Sequence, residues 1–497
     1  MPSLLQYTYL TRPRSNTYPQ THRLPSHRRK ISHHQYGQYS YPAGRMPRDI
    51  WEEIFLHCLP DSPDPDIPIC NRKPTTPVLL TAPYNLLNVC RAWRIVALSL
   101  PNLWTALPVV VHSGRAFPPL DVAFKWLQRS GDLPLELSLY QTNESEGNQE
   151  VADDVLALYI QYLARWRDIR LDIANPTYGR SLQPSPDFYA PLLETFHLTT
   201  CWRLTPNEEI MQDLLKMLEV APMLSSFSVS RLSDLNVSPT TTVAIPWRQL
   251  TRLDLGFIPS VSACLSIMSG CPNLESCNLL VDPQEGPLPA LPIVLPALTS
   301  LELHIRAGEL AALLDRAVFP ALQSITLYVQ DAYDNHAQWP QESFMDLLTR
   351  SKCTLKRLEV HDTGVQSSQF IECLDHVSVR GIAELVMHDN RDWTWDPVIT
   401  PQLVQLLTVP RIAKSIGRCL LPRLKKLDLG KGCWTCPNGL LSDMIESRWR
   451  TTTPGVTRLE HMHLDLHLFD DVHGLDHMRL EKLRDEGMKV RLTYYHD

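Results

Sequence analysis

Pro272-Asn273-Leu274-Glu275-Ser276-Cys277-Asn278-Leu279, Pro296-Ala297-Leu298-Thr299-Ser300-Leu301-Glu302-Leu303 and Pro320-Ala321-Leu322-Gln323-Ser324-Ile325-Thr326-Leu327 are three copies of one pattern. Writing Φ for an apolar residue, each reads P-x-Φ-x-x-Φ-x-Φ. Pro191-Leu193-Phe196-Leu198, Pro222-Leu224-Phe227-Val229 and Pro422-Leu424-Leu427-Leu429 obey the same rule. Four more units keep the apolar triplet without the proline: Trp166-Ile169-Leu171, Leu250-Leu253-Leu255, Leu355-Leu358-Val360 and Ile382-Leu385-Met387. First-Φ positions 250, 274, 298 and 322 fall 24 apart, and the other gaps run from 26 to 42. The last two Φ residues of a unit are two apart, so on a strand they share one face. Helical spacing separates the strands over 210–218, 261–268, 309–317, 344–348, 370–377 and 440–445. One strand and one helix cannot bury their own apolar faces, but stacked units share a continuous core. An ordinary α/β domain with leucine-rich strands is the competing reading, and the in-register recurrence weighs against it.

Spacing and the L-x-x-L-x-L core resemble the leucine-rich repeat. The resemblance implies an α/β leucine-rich-repeat-like solenoid over residues 151–497. In each unit the residue between the last two Φ positions points opposite to them. In chain order these are Arg170, His197, Ser228, Asp254, Asn278, Glu302, Thr326, Glu359, Val386 and Asp428, all polar except Val386. Two residues further on stand Leu280, His304, Tyr328, His361 and His388. A polar column is what any solvent-facing strand face shows. Large side chains on a rigid sheet are also the material of interface hot spots. The predicted contact region for a target protein is therefore Asn278, Leu280, Glu302, His304, Thr326, Tyr328, Glu359 and His361. Its acids, with Asp254 and Asp428, suit a basic target segment.

The N-terminal part reads differently. Met46-Pro47-Arg48-Asp49-Ile50-Trp51-Glu52-Glu53-Ile54-Phe55-Leu56-His57-Cys58 and Pro83 to Leu100 predict two short amphipathic helices. In the second, Leu86, Val89, Cys90, Trp93, Val96, Ala97 and Leu100 recur at steps of three and four. Pro83 suits a first helical turn and Pro101 stops the helix. Two helices of this size carry more apolar surface than they hide from each other, so they need a third element or a partner. The stretch 46–104 resembles an F-box, the small all-α module that docks a Skp-family adaptor in cullin-type ubiquitin ligases. Met46-Pro47, Asp49-Ile50, Ile54-Phe55, Val89-Cys90, Trp93, Ala97 and Leu103-Trp104 fill the family's places. Met46 replaces the usual leucine. Residues 60–82 are a proline-rich insertion that cannot be helical, so it reads as a looped-out segment. The resemblance implies adaptor contacts from Met46, Pro47, Ile50, Ile54, Phe55, Val89, Cys90 and Trp93.

Composition bounds the rest. The 497 residues carry a net charge of −7, and the first 45 hold seven Arg/Lys and no acid, leaving −14 on the remainder. An acidic body argues against nucleic-acid binding. Residues 1–45 lack an apolar period and read as a disordered basic tail. Prolines 13, 19 and 25 argue against a mitochondrial presequence, and translation starting at Met46 is a further reading. No apolar run reaches the roughly 18 residues of a membrane helix. Most cysteines sit in apolar patterns, as reduced thiols do, and no secretory signal appears, so the expected compartment is cytoplasmic or nuclear. Residues 105–150 read as a connector with a helix near Leu120–Leu127 and a strand at Leu135, Leu137 and Leu139. Its Arg129-Ser130-Gly131 and Leu133-Pro134-Leu135 junction extends the resemblance to F-box proteins of mushroom-type fungi.

Two clusters offer chemistry. Cys433-Trp434-Thr435-Cys436 is a C-x-x-C, a redox or half-zinc spacing. His461, His463, Asp465 and His467 alternate with apolar residues and share one strand face, so they are candidate zinc ligands or simply the solvent face of the last strand. No phosphate loop, G-x-S-x-G or H-E-x-x-H occurs. The reading is a non-enzymatic substrate receptor with no cofactor or metal, bound to a Skp-family adaptor and through it to cullin. It acts on an unknown target by proximity. Competing readings are a thiol or zinc enzyme using Cys433 and Cys436, and an F-box scaffold outside any ligase.

Overall fold

Each of the ten apolar units is a strand, and all ten belong to one sheet. The computed structural model describes residues 46–59, 81–142, 146–173, 189–200, 217–230, 245–281, 292–330, 339–388, 397–410, 419–430, 436–467 and 473–495. The basic tail, residues 60–80 of the insertion and Cys433 lie outside them. The strands are β1 (Ala106–His112), β2 (Arg115–Phe117), β3 (Leu135–Gln141), β4 (Trp166–Ile173), β5 (Thr195–Thr200), β6 (Ser226–Val229), β7 (Arg252–Ile258), β8 (Ser276–Val281), β9 (Ile293–Val294), β10 (Ser300–Arg306), β11 (Ala317–Val318), β12 (Ser324–Gln330), β13 (Arg357–His361), β14 (Glu384–His388), β15 (Lys426–Leu429), β16 (His461–His467) and β17 (Lys489–Tyr495). Fifteen of them form one sheet in the order β17-β16-β15-β14-β13-β12-β10-β8-β7-β6-β5-β4-β3-β1-β2, and β9 pairs with β11 apart from it. Only β1–β2 is antiparallel in the large sheet; its other neighbours run parallel.

Parallel neighbours need a crossover, and helices supply most of them. The helices are α1 (Arg48–Leu56), α2 (Arg91–Leu98), α3 (Leu120–Arg129), α4 (Glu146–Ile160), α5 (Val261–Gly270), α6 (Ala307–Leu314), α7 (Gln341–Ser351), α8 (Ser367–Asp375), α9 (Pro401–Leu407), α10 (Leu440–Trp449) and α11 (Gly474–Asp485). The fold is thus mixed α/β around a large, mostly parallel sheet. The three Φ positions of every unit are buried, from Trp166, Ile169 and Leu171 to Leu424, Leu427 and Leu429. Each fully buried leucine contributes about 1.5–3 kcal/mol relative to exposure. The chain enters successive strands the same way. The Thr251 carbonyl accepts from the Glu275 and Ser276 N–H groups, Glu275 from Thr299 and Ser300, and Thr299 from Gln323 and Ser324. This shared entry fixes the register that the sequence repeat implies.

Three expectations change. The sheet begins at Ala106, well before residue 151: the helix and strand expected within 105–150 are α3 and β3, and β1 and β2, which were not expected, add two more strands to the sheet. β16 is not the last strand, since β17 pairs along all of it. The second N-terminal helix is broken: Asn85–Asn88 is a single 3-10 turn, and α2 starts only at Arg91. Cys90 is extended at φ −160° and its Sγ accepts from the Trp93 N–H at 3.5 Å, which makes it a helix cap and not an interior residue. Pro101 ends α2 and opens a further 3-10 turn, Pro101–Trp104. The Trp104 indole N–H donates to the Ala97 carbonyl at 2.9 Å, and its ring meets Trp126 of α3.

Candidate functional site

Two surfaces hold the residues singled out above. On the helical module, Trp51, Phe55 and Trp93 form an aromatic cluster with centroid distances of 5.0–5.4 Å. Phe55 is fully buried there, so it supports the module from within and is not a contact residue, as its place in the motif had suggested. Trp93 is half-buried. Ile50 and Val89 are instead 48% and 57% exposed, and Ile54 is exposed beside them. Pro47 and Cys90 are exposed and Met46 is half-buried. Ile95 and Leu98, which the motif did not single out, are also exposed. The module therefore keeps a small aromatic core and leaves branched apolar residues uncovered.

The second surface is the sheet face opposite the buried apolar positions. Parallel register aligns Arg170, His197, Ser228, Asp254, Asn278, Glu302, Thr326, Glu359, Val386, Asp428 and His463 in one row across ten strand pairs. A second row, two residues further on, aligns Leu280, His304, Tyr328, His361 and His388. All eight predicted target-contact residues fall in these two rows. Strand spacing converts the second row into a stack of rings. His304 and Tyr328 lie 4.2 Å apart at 11°, Tyr328 and His361 4.1 Å apart at 14°. His361 then meets His388 edge-on at 4.9 Å.

The acids of this face are already engaged. Glu359 accepts from His361 Nε2 at 2.7 Å and from Arg357 Nη2 at 2.5 Å. Thr326 Oγ1 lies 3.4 Å from it as a further donor. Burial alone would raise the Glu359 carboxyl, but the hydrogen bonds from His361 and Arg357 and the Arg357 charge hold it down at about 2. Glu302 accepts from His304 Nε2 at 3.0 Å. Burial and the negative charges of Glu359 and Glu302 push the Tyr328 phenol up to about 12. The carboxylates thus hold the ring stack in place, and the expectation that they await a basic segment loses its premise at Glu359. Thr326 and Glu359 are also buried by their neighbours, and so nearly is His361, so Tyr328 and His304 offer more of the accessible surface.

Beyond the stack, a cavity of about 400 Å³ lies over Val386. The short valine sits in a row of longer polar residues, and Arg357, Glu384, His388, Lys426, Asp428 and His463 rise around it. In its wall, Asp428 Oδ1 accepts from His388 Nε2 at 2.7 Å and from His463 Nδ1 at 2.9 Å. Burial opposes the charge on Asp428, but the two imidazoles lower its carboxyl below the ordinary range. The hydrogen bond to Asp428 in turn raises His388. Among the described residues, His388, Asp428 and His463 are the one group of three metal-capable side chains whose ligand atoms lie within 4.8 Å of one another.

Sequence reasoning placed His463 with His461, His467 and the C-x-x-C, which is a different grouping. Cys436 is buried with its thiol against the Ile399 carbonyl at 3.8 Å, and burial pushes it up to about 12. It stands outside the histidine cluster. The signal that would have found the cluster is Leu459-Met462-Leu464, an eleventh Φ-x-x-Φ-x-Φ unit that puts His463 in the row of Asp428.

Compared with known proteins, the chain matches no protein-family model and no curated protein. Among the described residues no helix is long and apolar enough to cross a membrane.

Proposed function

We propose that this chain is an F-box substrate receptor: the module at 46–104 docks a Skp-family adaptor, and the polar face of the sheet holds a target protein. The observation that carries this reading is the uncovered set Ile50, Ile54 and Val89 on a helical module whose core is already complete. Unpaired branched side chains on a small rigid module are what a partner's apolar groove accepts. From β3 to β17 the order of strands in the large sheet follows the chain, with helices in most of the crossovers, and this supports the leucine-rich-repeat-like solenoid reading of the remainder. The receptor acts by bringing a target near a ubiquitin-charged enzyme that the cullin delivers, and supplies no acid, base or nucleophile of its own. Such a protein works in the cytoplasm or nucleus. Against the thiol-enzyme reading stands Cys436, whose burial raises its thiol where a reactive thiolate needs it lowered.

The test is co-purification with a Skp-family adaptor. The triple variant Ile50→Asp, Ile54→Asp and Val89→Asp is expected to lose the adaptor while keeping its circular dichroism spectrum. Undiminished capture by that variant refutes the docking surface. Adaptor capture without cullin would favour a scaffold working outside a ligase.

A further inference from the structure

We propose that His388, Asp428 and His463 form a binding site for a divalent transition-metal ion of the zinc class. The three side chains come from three adjacent strands, β14, β15 and β16, and converge because the parallel register is unbroken there. Asp428 and His463 are direct cross-strand partners, and His388 lies diagonally, two residues beyond Val386. Two imidazole nitrogens approach the same carboxylate oxygen, at 2.7 and 2.9 Å. A carboxylate oxygen only accepts, so each nitrogen must carry a proton to sit there. A divalent ion takes the place of those two protons. Zinc ligands at about 2.0–2.1 Å in tetrahedral array stand roughly 3.3 Å apart, so the two contacts to Asp428 open by about half an ångström to admit it, and the three ligand atoms already lie within 4.8 Å of one another.

Three further features suit a built site. Gly430, beside His388, leaves room for the ring: a Cβ there would lie 2.8 Å from His388 Cγ. His463 Nε2 lies 2.6 Å from Thr493 Oγ1 and 3.4 Å from Asp465 Oδ1, partners that fix the ring with Nδ1 turned to Asp428. Such outer partners orient ligating histidines and raise their basicity. The nearby cations are also balanced. Arg357 is bound to Glu359 and Glu384, and Lys426 lies 3.4 Å from Glu384. Arg491, the direct cross-strand partner of His463, and Lys489 also line the cavity and work against a cation, and Asp465, 3.4 Å from His463 Nε2, offsets part of their charge. Two histidines and one carboxylate leave the fourth coordination position open to the cavity, for water or a donor from a bound partner. The proposal does not depend on the adaptor reading.

The experiment uses the full-length chain, stripped with chelator, and zinc alone. Calorimetry is expected to show one ion per chain, with micromolar or tighter affinity. His388→Ala, Asp428→Asn and His463→Ala should each weaken it at least tenfold, and Thr493→Val by roughly tenfold through His463. X-ray absorption of the wild-type zinc complex, which needs no variant to fold, should show only nitrogen and oxygen ligands at about 2.0–2.1 Å. A sulfur shell would assign zinc to the cysteines and overturn the proposal. So would absence of binding at 100 μM zinc, roughly the weakest affinity a built site of this kind should show, or affinity unchanged in the His388→Ala/His463→Ala double variant.

Discussion

The ring of Trp104 meets that of Trp126 edge-on, with centroids 5.1 Å apart and planes at 83°. Trp104 closes the helical module and Trp126 belongs to α3, so this pair joins the module to the sheet. Tyr84 stacks on Trp126 at 5.9 Å, and the Arg129 guanidinium lies 4.6 Å over the Trp104 ring. Trp104→Ala removes a fully buried ring and leaves the Ala97 carbonyl without its indole donor. The expected cost is about 3–5 kcal/mol. Guanidinium unfolding followed by fluorescence and circular dichroism checks it. In the wild type the two probes should move together, and in Trp104→Ala they should separate if this pair couples module and sheet.

Phe55 and Ile50 lie one helical turn or so apart, yet they should separate stability from binding. Phe55 is buried against Trp51 and Trp93, so Phe55→Ala should cost about 3–5 kcal/mol and weaken adaptor binding only through unfolding. Ile50→Asp changes an exposed side chain and should alter stability by less than about 0.5 kcal/mol while abolishing capture. Thermal melts and adaptor pull-downs on the two variants distinguish these outcomes. Equal effects on both readouts would mean that Ile50 is structural.

The repeat was legible because it is periodic in the one property that burial selects. Leu250, Leu274, Leu298 and Leu322 are fully buried at their equal spacing, and every polar row position fell where the two-residue strand period put it. Units without that contrast were not legible. β1 has Pro108 in its middle, which reads as a strand breaker, yet the strand is retained beside β3. The turn at Val89 and Cys90 was invisible because both residues continue the helical stripe. A thiol is not a usual cap, and only the extended backbone at Cys90 reveals it. The histidine–aspartate cluster required pairing across β14, β15 and β16, which local spacing does not report.

Glu359 makes the sheet face sensitive to acid. Its folded-state carboxyl is held at about 2, below the ordinary value of about 4.3 for the unfolded chain. A depressed carboxyl contributes stability that is present above the unfolded value and lost as pH falls toward the folded one. The loss should therefore develop below about pH 4.5 and be complete near pH 2. Asp428, lowered by His388 and His463 against the cost of burial, acts in the same direction. Glu359→Gln should be less stable at neutral pH and show a flatter acid limb. Denaturant midpoints measured from pH 2 to 7 test this. An unchanged acid limb would mean that Glu359 is not linked to folding.

Two glycines differ in what an added methyl would strike, and so in what each substitution reports. At Gly256 the Cβ would collide with the Ser230 carbonyl oxygen, which is backbone just past the end of β6. Gly256→Ala should destabilise by about 3 kcal/mol or more, since the strand edge itself must move. At Gly430 the nearest atoms belong to His388, with its Cγ at 2.8 Å and its Cα at 3.0 Å. The ring can swing away and the backbone at the His388 Cα need give only by a few tenths of an ångström, so Gly430→Ala should cost less, about 1–3 kcal/mol. Its sharper effect is on His388. The bond to Asp428 is the main cause of that imidazole's raised value, opposed by burial. Displacing the ring should bring the titration down toward about 6.5. A raised histidine contributes stability that is present below the unfolded value and lost as pH rises through the folded one. Gly430→Ala should therefore remove a stability loss that the wild type shows on going above about pH 6.5. Imidazole proton shifts recorded against pH, in chelator so that no metal competes for the ring, give the measurement. A His388 titration unchanged by Gly430→Ala would show that the glycine does not set the position of the ring.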